Sequence, residues 1–156
     1  MAKARHNGRQ VKKALQRVLT DYDAAKSKAV ADVLVQTVER GQEIAPKKTG
    51  RFAASIHLTT GDSPAMDLGG RGERWNLGRS HSKMRENVQS ARGILAQFMG
   101  KKSISVKIFS GVYYGLWVER GKTNRDGNKS KAHNVFRRMQ SFLNSRLKKL
   151  GQEIRR

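Results

Sequence analysis

Four histidines, His6, His57, His81 and His133, are the side chains best suited to proton transfer near neutral pH, and each lies in a different stretch of the chain. A general base works only with a partner acid or nucleophile within reach. None of the four has a second ligand at a spacing such as HExxH, so neither a metal nor a catalytic set is expected. Asp21 and Asp23 flank Tyr22, but residues two apart on a helix do not face each other, and helix capping explains them better than paired acid–base work. Ser55 and Ser105 lack the GxSxG elbow. Gly69-Gly70-Arg71-Gly72 has neither P-loop spacing nor the strand-then-helix setting of a dinucleotide fingerprint, and reads as a flexible loop. The sequence has no cysteine, which removes thiolate nucleophiles, disulfides and Cys-ligated zinc. The expectation is a protein that is not an enzyme and takes no cofactor.

Contact chemistry is better represented. The 156 residues carry 33 Lys and Arg against 12 Asp and Glu, a formal charge of +21. Such a chain attracts polyanions, and the attraction weakens steeply with salt. Arg71, Arg74, Trp75 and Arg79 combine guanidinium groups with an indole, a pairing that stacks on bases and also suits protein interfaces. Arg5, Arg9, Lys12 and Lys13 lie in a basic N-terminal arm, residues 1–10 and just beyond. Both groups are candidate contacts for DNA or for an acidic protein partner. No helix-turn-helix, zinc finger or RNP motif supports sequence-specific reading. No run approaches a membrane span and the N-terminus has no apolar signal-peptide core, so the expectation is a protein soluble where it is made, without membrane contact.

These residues need elements to hold them. Val11, Leu15, Val18, Leu19, Tyr22, Ala25, Ala29, Val33 and Val38 recur near three and four, which predicts a helix over about 9–43. Thr20 to Asp23 could cap a new helix start and break it, and Gly41 and Pro46 mark its end. Arg51 to Leu58 reads as a short helical turn running into a strand. Residues 61–80 read as a long irregular loop, and 82–99 as a helix through Met84, Val88, Ala91, Leu95 and Phe98. Ile104, Val106 and Ile108 alternate with polar neighbours, the clearest strand signal in the chain. Residues 112–119 are strand or short helix. A closing amphipathic helix over 132–150 carries Val135, Phe136, Met139, Phe142, Leu143, Leu147 and Leu150. One α+β domain over 1–156 follows: long N-terminal and C-terminal helices on a small antiparallel sheet, with an inserted loop and helix at about 61–100.

Two blocks point further. Ala45-Pro46-Lys47-Lys48-Thr49-Gly50-Arg51-Phe52-Ala53-Ala54-Ser55-Ile56, directly after a long helix, resembles the "AP-x-x-TG-x-L-x-x-SI" signature of bacteriophage neck and tail-completion proteins. Tyr114, Val118, Glu119 and Gly121 fall in a stretch that looks like the same family's later "Y-x-x-YVE-x-G" block. Trp117 stands where that family more often has Tyr, 61–100 is longer than its core needs, and Ser130 to His133 replace its usual Pro-aromatic start to the last helix. The residue types also have independent structural reasons: Pro46 stops a helix, Thr49 can cap a turn, Gly50 permits a positive φ, Phe52 and Ile56 would tuck under the long helix, and Gly121 would release the chain after an aromatic strand. The resemblance implies a virion protein at the head–tail junction or tail end, assembled in the host cytoplasm. Its partners would be itself in a ring, expected to be hexameric, and the neighbouring neck, tail-terminator or tail-tube proteins, with genomic DNA passing the channel. A tail terminator is a near alternative. A stand-alone basic nucleic-acid-binding protein of ribosomal or nucleoid type explains the charge but not the two blocks.

Overall fold

A computed structural model describes the backbone of residues 2–46, 50–60, 76–99, 105–112, 114–123 and 125–154, with the side chains of 2–22 and 116 outside that description. In chain order the elements are α1 (Ala2–Ile44), α2 (Arg51–Ser55), β1 (Ile56–Thr59), α3 (Leu77–Ala96), β2 (Lys107–Ser110), α4 (Gly115–Arg120) and α5 (Val135–Glu153). The fold is α+β, mostly helical, with one two-stranded antiparallel sheet.

The long helix is unbroken. α1 begins at Ala2 rather than near residue 9 and runs through Thr20–Asp23, where the sequence allows a new helix start, without a break. No proline falls within it, and the hydroxyl of Ser27 donates back to the Asp23 carbonyl at 2.9 Å, a bond compatible with continued helix. Gly41 does not end it either. A Cβ there would lie 2.4 Å from the sulfur of Met139, so the glycine lets α5 approach within the last turns. Pro46 stands just beyond the end, as expected.

Core burial on α1 is wider than one stripe. Val33, Leu34, Val35, Thr37, Val38 and Gln42 are all buried, because α3, α5 and β1 pack on the helix from different sides. α5 runs back along α1: Met139 lies against Gly41, while Arg146 donates to Gln36 Oε1 at 2.8 Å. Val135 and Met139 are buried on α5 and Phe136 and Leu143 half-buried, whereas Leu147 is exposed.

The turn-then-strand reading of 51–58 corresponds to α2 and β1. β1 pairs β2 with Ile56 opposite Ser110 and Leu58 opposite Ile108. Val106 and Ile108 pack on the core, and His57 stacks on its cross-strand partner Phe109 with ring centroids 4.3 Å apart. One expectation is corrected here. Residues 77–80 are not loop but the first turn of α3, started by Asn76, whose side chain accepts the Arg79 amide at 2.8 Å. The block at 112–119, open to strand or short helix from its residues, takes the helix: the Gly115 amide bonds to the Val112 carbonyl at 3.0 Å and α4 follows.

α3, drawn from the 61–100 segment, belongs to the same core. Ala91 and Leu95 are buried in it, and the Asn87 amide donates to the carbonyls of Ala54 at 2.7 Å and Ile56 at 3.1 Å. Gln42 donates to Ile56 and Met84 carbonyls at 3.4 and 3.3 Å. These buried amides tie α1, α3 and the α2–β1 corner together and find backbone carbonyls for their own donors.

Candidate functional site

The first motif block forms a corner. Ala45 is buried, its amide bonded to the Gly41 carbonyl, and Pro46 is half-buried. Thr49, expected as a turn cap, lies outside the described residues. Gly50 adopts φ 67°, and its carbonyl accepts the Ala54 amide at 2.9 Å, which starts α2. A Cβ on Gly50 would meet Ser80 at 2.7 Å, so the glycine also allows α3 to close on the corner. Phe52 and Ile56 are buried in the main core. Ser55 donates to the Phe52 carbonyl at 2.6 Å and shares a hydrogen bond with Ser110 of β2.

The second block forms a clasp on α5. Tyr114 and Val118 pack on the core. Val118 and Glu119 carbonyls accept the amides of His133 and Asn134 at 2.9 and 3.2 Å. The Glu119 carboxylate accepts the amides of Phe136 at 3.0 Å and Arg137 at 3.2 Å. Gly121 takes φ 77°, and a Cβ there would stand 2.5 Å from the Ser130 carbonyl oxygen. The first block meets the helix that the second block caps, through Phe52 and Phe136, whose rings are 6.4 Å apart and edge-on. Gly50, Phe52, Ser55, Ile56, Tyr114, Val118, Glu119 and Gly121 therefore have packing or capping roles.

The candidate contact residues do not assemble into one described site. Arg5, Arg9, Lys12 and Lys13 lie on the backbone of α1, with side chains outside the description, and Arg71, Arg74 and Trp75 lie outside the described residues altogether. Arg79 is exposed on the first turn of α3 instead of in a loop. Among the histidines, His57 is buried with Nδ1 2.9 Å from the Ser55 carbonyl oxygen, and His81 is exposed on α3. Among the described residues no three His, Asp or Glu converge as metal ligands, and no helix is long and apolar enough to cross a membrane.

The described residues line two surface grooves of note. One, of about 560 Å³, runs between α1 and α3 past Gln42, Met84 and Val88, and Glu39 and Arg92 pair across it at 3.5 Å. The other, about 520 Å³, lies between α1 and α5 and is lined by Arg40, His133, Arg137 and Arg138. No sequence pattern groups these residues, since only the α1–α5 packing brings position 40 beside 137 and 138. Comparison of the chain with family models, curated proteins and solved structures finds no match.

Proposed function

We propose that this protein is a non-enzymatic virion component of a long-tailed bacteriophage, a ring subunit at the tail end that completes the tail and joins it to the head. The observation that carries the reading is the pair of motif blocks, in the order and setting of the neck and tail-completion family. Gly50, Phe52 and Ser55 build a corner and Val118, Glu119 and Gly121 a clasp, packing roles that support a structural part for these blocks. A ring subunit makes head-to-tail contacts that close on themselves, so such proteins depend on a rigid frame more than on a reactive centre. Tail termination is the nearest variant of the same role.

The +21 charge favours a second reading, a stand-alone nucleic-acid-binding protein. Quantitative mass spectrometry of purified, nuclease-treated virions separates them. A fixed, small, ring-like copy number relative to a known ring component supports the structural reading. Absence from particles overturns it and leaves the nucleic-acid-binding one.

A further inference from the structure

We propose that the groove between the end of α1 and the start of α5 binds the phosphate backbone of a nucleic acid. The side chains that the two helices bring together point to this whether or not the protein sits at a head–tail junction.

Arg137 and Arg138 stand on the face of α5 that also carries Ser141 and Phe142, at the three- and four-residue spacing of one helix surface. Arg40 faces them from α1, and His133 closes the end. Arg146 extends the row: its guanidinium lies 5.8 Å from the Phe142 ring, one turn further along the same face. It is hydrogen-bonded to the neutral Gln36, which leaves its charge uncompensated by that partner. Arg138 and Arg146 are thus separated by roughly 12 Å along the helix axis. A row of this length matches an extended polyanion better than an isolated phosphate or carboxylate.

The acids nearby do not cancel this charge. Glu43 pairs with Arg40 at 2.6 Å, but both side chains are well exposed, and an exposed pair of this kind is weak enough to exchange for phosphate. Glu119 keeps its charge, but its oxygens are occupied by the amides of Phe136 and Arg137, so the α5 N-terminus is already satisfied and the groove's anion affinity resides in Arg40, Arg137, Arg138 and Arg146, which outnumber Glu43 and Glu119. Guanidinium forks match phosphate oxygens in pairs, and the +21 chain adds long-range attraction for a polymer of phosphates.

The test must separate this site from general charge. Fluorescence anisotropy of a short fluorescein-labelled DNA duplex, titrated with the full chain over a range of KCl, compares R137E/R138E with R125E/K129E. The second pair makes the same charge change at exposed positions between α4 and α5, away from the groove lining and from the row on α5. The groove variant is expected to lose about tenfold more affinity than the control. Its slope of log K against log salt should flatten by roughly 2 more, near 0.9 for each phosphate that is no longer neutralised. Equal losses in the two variants overturn the proposal. So does displacement of the duplex from the wild-type chain by poly-glutamate at equal charge concentration, which would make an acidic protein the occupant. Far-UV circular dichroism checks the fold; if glutamate unfolds α5, R137Q/R138Q against R125Q/K129Q is read the same way.

Discussion

The carboxylate of Glu119 and the amide of Phe136 meet at 3.0 Å, so a side chain at the end of α4 caps a helix that starts well downstream. The reason lies at Asn134. It stands at the N-cap of α5 in the left-handed region, φ 49°, a conformation asparagine tolerates, and its side chain makes no cap hydrogen bond. The amides of Phe136 and Arg137, which an ordinary cap would satisfy, are instead taken by both oxygens of Glu119.

Glu119→Ala is expected to destabilise the fold by about 1–2 kcal/mol, the range for a lost N-cap. Urea unfolding followed by circular dichroism reads it. Glu119→Gln keeps one acceptor oxygen and should lose less. A silent Glu119→Ala would mean that water replaces the cap at no cost.

Gly121 and Gly93 should respond to alanine in opposite directions. Gly121 has φ 77° and a carbonyl 2.5 Å from the added Cβ, so Gly121→Ala is expected to cost more than about 1 kcal/mol. Gly93 is exposed within α3 with nothing within 4 Å of an added Cβ, so Gly93→Ala should stabilise by about 0.5–1 kcal/mol. Paired thermal melts give both signs, and a matching sign would contradict the local geometry.

Asn87 holds two carbonyls at the α2–β1 corner from the buried face of α3. Asn87→Ala leaves those acceptors without this donor and should cost roughly 1–3 kcal/mol. Asn87→Asp is expected to be worse, since a carboxylate presents no N–H and brings a buried charge. Chemical denaturation of the two variants checks both the size and the order of the effects.

The grouping of Arg40 with Arg137 and Arg138 bears on virions as well as on purified protein. If the head–tail reading and the groove both hold, phage carrying R137E/R138E should assemble this protein at wild-type copy number yet join heads or eject DNA less efficiently. Plaque counts set against particle counts measure that. Normal infectivity would confine the groove's role to the isolated chain.

Much of the fold is legible in the sequence because local patterning is strong where one element meets one core. The three- and four-residue recurrence of apolar side chains marks α1, α3 and α5, and alternation through Val106 and Ile108 marks β2. Composition settles the charge of +21 and the absence of thiols. The positive φ of Gly50 is readable from the lone glycine in a turn after a proline. Tertiary structure alone decided what depends on distant partners. Residues 112–119, rich in β-branched and aromatic side chains, suit strand or short helix locally, and the fold takes the helix over Gly115–Arg120. Gly41 sits inside a helix because Met139 needs its space, and Glu119 caps a helix that its own neighbours in sequence do not include. The basic groove exists only because α5 folds back on α1, which sums charges that no local pattern places together.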